Sequence, residues 1–304
     1  MEKKKRISKD KKINIYKILT ILLSIALLVV VGVMAHSWMV TRQAQAEYDR
    51  LAEKVNSLQD QLDDNRIEVP EETQTETQTE TQASSESLPV PEETESTEEN
   101  SLTQLGIDPP VKNLDWEALG QVNPDIYAWI CIPGTQVDYP ILQHPSDDSY
   151  YLKYNMNGTR GYPGCIYTEK LNQKDFTDFN TVLYGHNMKN QTMFASLHDF
   201  EKGEFFANNP YIYVYTKDKV LVYEIFAAWL ADDTHILKNN DFTTEQGRAA
   251  YLTDILKNYS SYGNMRNDLE ITTDSHILTL STCMKRKPHN RFLVQAVLLN
   301  EDAL

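Results

Sequence analysis

The feature that most limits how this chain can fold is a stretch of 23 residues, 18–40, containing no Asp, Glu, Lys or Arg. Roughly 20 apolar residues at about 1.5 Å rise cross the hydrocarbon core of a bilayer, so the stretch predicts a membrane-spanning helix. Residues 1–17 carry eight Lys or Arg against two acids. Basic flanks stay on the cytoplasmic side, which makes 1–17 a cytoplasmic tail and puts everything after Arg42 outside the cell, with Trp38 near the outer interface. A cleaved signal peptide shares the basic start, but its apolar part runs to about 7–15 residues and ends at a small-residue cleavage site. Here the run is longer and residues 33–37, VMAHS, make a poor site. The sequence therefore predicts a retained single-pass anchor.

Beyond the membrane, Tyr48, Leu51, Val55, Leu58 and Leu62 recur at spacings of three and four, the seam of an amphipathic helix over 41–66. That seam fits a single juxtamembrane helix or a contact between two copies of the chain, and it leaves the oligomeric state open. Residues 71–100 hold ten Glu, no basic residue and almost nothing apolar. Such a segment cannot bury enough surface to offset chain entropy, so 67–101 reads as a disordered, self-repelling linker. As a coil of about 30 residues it spans roughly 30 Å, which predicts a domain sweeping a shell above the bilayer. The linker also supplies ten negative charges toward the formal net of −15, so the acidic balance says little about the partners of the C-terminal two-thirds of the chain. Nothing in the charge pattern suggests nucleic acid. Residues 102–304, roughly 200, can bury one sizeable core.

Within that part, short β-type runs recur between turn residues: 128–132, 164–168, 181–184, 211–216, 220–230, 276–283 and 292–299. The pattern predicts a mainly β domain, a barrel or sandwich. Helices are fewer. One is expected over 113–119 with Asn113 as its cap. A longer one is expected over 244–259, where Thr243 and Gln246 form a capping box and Leu252, Ile255, Leu256 and Tyr259 share a face. A single long helix inserted among strands marks a large loop beside whatever site the strands build.

The chain has three cysteines, Cys131, Cys165 and Cys283. An odd number outside the cell leaves at least one free thiol. Cys131 and Cys165 sit in short apolar runs and read as small buried hydrophobes, with a bridge between them left open. Residues 276–300 read as strand, seven-residue loop and strand, which brings Cys283 beside Arg291 across an antiparallel pair. A cation near a thiol favours the nucleophilic thiolate, and Arg can also donate to an oxyanion. Lys285, Arg286 and Lys287 add further positive charge.

A cysteine nucleophile needs a proton-exchanging partner, and seven histidines are available. His36 lies in the apolar run, and His144, His198 and His235 lie in polar stretches where surface exposure is the default. His276 is seven residues up the strand from Cys283, about 23 Å away at about 3.3 Å per residue. His289 is in the adjoining loop. His186 follows a strand and a glycine, a rigid position at a domain rim. Position alone leaves His186 and His289 as competitors.

Thr279-Leu280-Ser281-Thr282-Cys283, with Arg291-Phe292-Leu293-Val294 after it, resembles the signature of the sortase family, and Tyr184-Gly185-His186-Asn187-Met188 resembles the histidine segment of its class B members. Asn123-Pro124-Asp125, Trp129-Ile130, Pro133-Gly134-Thr135 and Asp138-Tyr139-Pro140-Ile141 resemble the opening strands of that class. The likeness covers residues 113–300. It implies a closed eight-stranded β-barrel with an N-terminal helix and one long inserted helix, and a catalytic domain over 102–304. It also implies a cysteine transpeptidase in which Cys283 is the nucleophile, His186 the general acid/base and Arg291 the stabiliser of the substrate carbonyl and oxyanion; Ser281 and Thr282, small and hydroxylated beside Cys283, are expected to bind substrate. The implied substrate is a C-terminal sorting signal of surface proteins. The implied acceptor is an amine of a peptidoglycan precursor or a pilin lysine. No cofactor or metal is expected, because the chain has no P-loop, no dinucleotide glycine motif and no His/Cys metal spacing. Two other readings stay open: an extracellular thiol peptidase that releases its product to water, and a catalytically silent, membrane-tethered binding module.

Overall fold

A computed structural model describes residues 2–64, 102, 105–259 and 263–304. The expected linker, 67–101, lies outside the described residues. The first element, α1 (Glu2–Asp64), is one continuous helix. The domain then runs α2 (Trp116–Val122), β1 (Ile126–Cys131), β2 (Asp138–Leu142), α3 (Tyr150–Lys153), β3 (Ile166–Tyr167) and β4 (Asn180–Tyr184). A 3-10 helix (Ala195–Glu201) and α4 (Gly203–Asn208) come next, then β5 (Tyr211–Tyr215), β6 (Val220–Asp232), α5 (Ile236–Asn239) and α6 (Glu245–Tyr259). The domain ends with β7 (Gly263–Met265), β8 (Ile277–Met284), β9 (Lys287–Leu298) and a 3-10 turn (Glu301–Ala303).

The strands pair in the order β5-β1-β2-β3-β4-β8-β9-β6, and β5 pairs again with β6. That last pairing closes an eight-stranded barrel and removes its open edges; β7 is a ninth strand added outside on β6. Two pairings, β2–β3 and β4–β8, are parallel. The barrel is filled by fully buried Ile130, Ile141, Leu183, Val214, Val222, Leu280 and Val294.

Residues Ile277 to Thr282 of β8 are all buried, so the strand is covered on both faces. Its second face is covered by α6, whose Tyr251 and Ile255 pack with Phe226, Ile277 and Val297 in a separate apolar cluster. A buried polar network fastens the helix to the barrel. The Tyr251 hydroxyl accepts from Gln295 Nε2 at 2.9 Å and from Asn180 Nδ2 at 3.1 Å, while Thr279 Oγ1 donates to Asn180 Oδ1 at 2.8 Å. Such groups are tolerated inside only because they satisfy one another.

Several expectations shift. The first domain helix is Trp116–Val122, capped by Asp115, whose Oδ1 accepts from Ala118 N at 2.9 Å; Asn113 lies outside it. In α6 the capping hydroxyl is that of Thr244, which accepts from Gly247 N at 3.2 Å, one residue later than the expected box. Its buried face is Tyr251 and Ile255, whereas Leu256 is 56% exposed, because the helix lies on a tyrosine-bonded polar platform and not on a purely apolar one. The side chain of Tyr259 lies outside the described residues. All three cysteines are free thiols, and Cys131 and Cys165 are buried and unbridged.

The largest departure concerns the end of the apolar run. On α1, residues 16–39 are exposed, but Ala44 and Tyr48 are buried against the domain, with Val40 and Leu51 half-buried on the same face. The Tyr48 hydroxyl donates to Gly164 O at 2.8 Å and meets Cys165 Sγ at 3.1 Å, and its ring packs edge-on to Tyr139 at 5.7 Å. Asn157 Nδ2 donates to Glu47 Oε2 at 2.7 Å. The first two positions of the expected seam, Tyr48 and Leu51, are therefore spent on the chain's own domain and not on a second copy. The side chains of Val55, Leu58 and Leu62 lie outside the described residues. A domain held this way does not sweep freely above the helix end.

Candidate active site

Cys283 lies near the end of β8, exposed, directly opposite Arg291 of β9. The register shifts between Cys283 and Met284, and the chain turns at once through Lys285 and Arg286, with Arg286 at φ 64°. The expected seven-residue loop is therefore a tight hairpin with strand structure through its arms. Its left-handed turn residue gives no signal in residue type, since arginine seldom adopts positive φ. Lys285, Arg286 and Lys287 are exposed at the tip.

β4 runs parallel to β8, with Tyr184 opposite Ser281. Gly185 N donates to Ser281 O at 3.2 Å, and the buried Thr282 Oγ1 donates to Gly185 O at 2.8 Å. These bonds lock the residue before His186 to the residue before Cys283, so the side chains of His186 and Cys283 leave adjacent strand ends together. Gly185 is required here, because a Cβ would run into Ile166 and Phe194. His186, Cys283, Arg291, Ser281 and Thr282 all line one cavity of about 780 Å³, walled on its far side by Trp229, by residues 230–236 and by α6. The Thr282 hydroxyl is committed to Gly185, so its contribution to the cavity is through its frame.

His186 is half-buried. Its Nε2 lies 2.8 Å from the Leu152 carbonyl, so Nε2 carries a proton and the neutral ring keeps its lone pair on Nδ1. Its ring meets that of Tyr162 at 4.9 Å. Burial pulls the imidazole below its ordinary pKa, and the bond to Leu152 O offsets part of that. The carbonyl fixes the orientation of the ring. Arg291 Nη1 donates to Pro288 O and Asn290 O, both at 3.0 Å, which braces the guanidinium at the cavity edge.

Of the other histidines, His235 lies in the cavity wall, and the rest are placed outside it. His289 is 87% exposed and pairs with Asp233 at 3.2 Å, so the competitor from the hairpin does not line the site. His144 stacks on Tyr150, and His235 pairs with Glu169 at 2.9 Å at the cavity margin. His198, expected on the surface, is half-buried because the 3-10 helix that carries it packs on the barrel. Its Nδ1 lies 2.6 Å from Glu201 Oε1 and its ring stacks on Phe292 at 5.0 Å. With Nδ1 donating to Glu201, Nε2 accepts from Asn187 Nδ2 at 2.8 Å, and Asn187 Nδ2 also donates to the Cys283 carbonyl at 2.9 Å. The sequence placed His198 on the surface, quoted Asn187 only as part of the histidine segment, and gave Leu152 no role. The spacing of three between His198 and Glu201 was a readable hint; a backbone carbonyl such as Leu152 O offers none.

Burial pushes the Cys165 thiol up to about 12 and the Cys131 thiol up to about 11, leaving Cys283 as the exposed thiol among the described residues. Among the described residues no group of His, Cys, Asp and Glu is arranged to hold a metal ion.

A family model for the sortase domain matches residues 130–299. Sortase B of Listeria monocytogenes is 30% identical over 185 residues, covering 60% of this chain and 73% of the relative. Sortase B of Staphylococcus aureus is 28% identical over 168 residues, covering 55% and 67%. Among solved structures, sortase B of Clostridium perfringens superposes with a TM-score of 0.53 at 31% identity, covering 60% of this chain and 98% of that one. A Staphylococcus aureus sortase B-substrate complex gives 0.54 at 27% identity, covering 60% and 83%.

Proposed function

The chain belongs to the sortase family, as a class B member and hence a cysteine transpeptidase, and on that premise we propose that Cys283, His186 and Arg291 perform the transfer on the outer face of a membrane to which α1 anchors the domain. The observation that carries this reading is that the exposed thiol, the half-buried imidazole and the braced guanidinium line one cavity.

In the proposed mechanism the Cys283 thiolate attacks the scissile carbonyl of a C-terminal sorting signal, and Arg291 donates to the oxyanion that forms. Arginine suits this because it stays charged and its donors are fixed in a plane. His186, holding the proton given up by the thiol, passes it to the departing amine as the C–N bond breaks. A thioacyl enzyme remains. An acceptor amine, from a peptidoglycan precursor or a pilin lysine, then attacks the thioester; His186 takes its proton and the thiolate leaves. One amide is exchanged for another, so no external energy source is required. Burial of His186 makes its imidazolium a better acid, which favours the proton transfer to the leaving amine.

The test is to incubate the protein with a labelled sorting peptide and an amine. A ligated product, together with an acyl adduct on Cys283 seen by mass, is expected. Cleavage to the free acid despite abundant amine would favour the hydrolase reading, and unaltered biological activity of Cys283→Ala would favour the silent binding module.

A further inference from the structure

α1 passes without a break from the apolar run into the segment that docks on the barrel. The helix from Tyr16 to Ala52 is long and apolar enough to cross a membrane. Protein burial starts at Val40, the last residue of the uncharged run, and continues through Ala44 and Tyr48. From Val40 to Tyr48 the helix advances only about 12 Å at about 1.5 Å per residue. The domain therefore begins where the hydrocarbon-compatible surface ends.

The part of the domain touching that end is the segment after α3. A Cβ built on Gly161 would lie 3.6 Å from Val40 Cγ1, Asn157 bonds Glu47, and Gly164 bonds Tyr48. This edge displays Tyr162 at 57% exposure and Leu152 at 39%, with Lys153 and Arg160 exposed among them. On α1 itself the Arg42 guanidinium sits over the Trp38 ring at 5.0 Å. Aromatic and aliphatic groups mixed with cations are the composition of a surface that rests among lipid headgroups. The same edge holds the catalytic cavity: Leu152 O takes the His186 Nε2 bond and Tyr162 packs on the His186 ring.

From these contacts we infer that the 152–162 edge of the domain lies on the headgroup surface of the bilayer that α1 spans, so that the cavity opens at the lipid surface and not at the end of a long tether. The inference rests on the anchor reading of α1. It makes α1 a positioning element for the reaction: an acceptor or substrate still attached to the membrane meets Cys283 without leaving the interface.

The experiment uses the full chain with Cys283→Ala, so that no exposed native thiol remains among the described residues, in nanodiscs of mixed phosphatidylcholine and phosphatidylglycerol. Environment-sensitive fluorophores are placed through Leu28→Cys in the run or Arg160→Cys at the edge, and lipids carrying a headgroup-depth quencher or an acyl-chain quencher are compared. Strong acyl-chain quenching at 28 and strong headgroup quenching at 160 are expected. Quenching at 28 without any at 160 would overturn the inference while leaving the anchor intact. Absence of quenching at 28 would overturn the anchor reading and the inference with it. Adding Ala44→Glu, or alternatively Tyr48→Ala, to undock the helix should keep the signal at 28 and reduce that at 160 several-fold; persistence of the signal at 160 in both undocked variants would also refute it.

Discussion

The bond between Thr282 and Gly185 offers a direct test of how the site is held together. Thr282 is 1% exposed, its hydroxyl donates to Gly185 O at 2.8 Å, and the two residues immediately precede Cys283 and His186. Thr282→Val keeps the branched shape and raises strand propensity, so only the hydroxyl is lost. A buried carbonyl left without its donor costs about 1–3 kcal/mol. For a domain of this size about 2–4 °C of Tm accompanies each kcal/mol, so the midpoint should fall by about 2–12 °C. The bond ties the strand that carries Cys283 to the strand that leads into His186. If the whole loss reappears in the transition state, kcat/KM should drop by about 5- to 150-fold, since about 1.4 kcal/mol is a factor of ten. Thermal denaturation and peptide-transfer kinetics read the two effects, and Thr282→Ser, which keeps the hydroxyl, should retain most of both. A Thr282→Val protein that melts and turns over like wild type would refute the claim that this bond sets the site's geometry.

The same contacts make three further outcomes testable. Tyr251→Phe removes the acceptor that the buried amides of Gln295 and Asn180 share and should cost about 1–3 kcal/mol; urea melts measure the loss, hydrogen exchange should rise across α6, and unchanged exchange there would contradict the anchoring role. Asn187→Ala removes the donor to the Cys283 carbonyl and should lower kcat/KM about tenfold, equivalent to about 1.4 kcal/mol, with a matching change in iodoacetamide alkylation of Cys283; equal rates in mutant and wild type would argue that the carbonyl is held by other means. His186 should titrate below the ordinary histidine value of about 6.5, because burial disfavours its charged form. A folded pKa below the unfolded one means that the unfolded chain binds the proton first. The associated stability is therefore complete above about pH 6.5 and is lost as pH falls through the folded value. NMR titration of the His186 ring, assigned with His186→Gln, decides this, and a midpoint at or above 6.5 would reverse the sign.

Much of this arrangement was legible in residue types. The strand ending in Cys283 and the strand beginning near Arg291 announce an antiparallel pair, and the structure pairs those two residues. The β-rich pattern and the single long inserted helix were likewise readable, because apolar runs cut by turn residues leave few other folds. What the residues did not announce is mostly held by backbone atoms or by contacts distant in sequence. Leu152 positions His186 through its carbonyl, Gly185 accepts from Thr282 through its carbonyl, and Cys283 is held through its carbonyl by Asn187. Side-chain identity is silent about such bonds. The buried face of α6 was misjudged for a related reason, since Tyr251 is chosen there for its hydroxyl as much as for its ring.

The docking of α1 shows how one periodic pattern can carry two meanings. Apolar residues spaced three and four apart identify a helix with a sticky face, but they do not say whose surface it meets. Tyr48 resolves that choice, because its hydroxyl reaches Gly164 O and Cys165 Sγ more than a hundred residues away while its ring packs on Tyr139. The hydroxyl satisfies a carbonyl of the barrel wall, a use of the side chain that apolar spacing alone does not reveal. Gly164 then carries the contact inward: it sits at φ 68°, and a Cβ there would press on Tyr151 O and on the His186 ring. The helix that emerges from the apolar run is thus separated from the proposed catalytic imidazole by the thickness of one glycine, and the domain's orientation and its chemistry depend on the same contact.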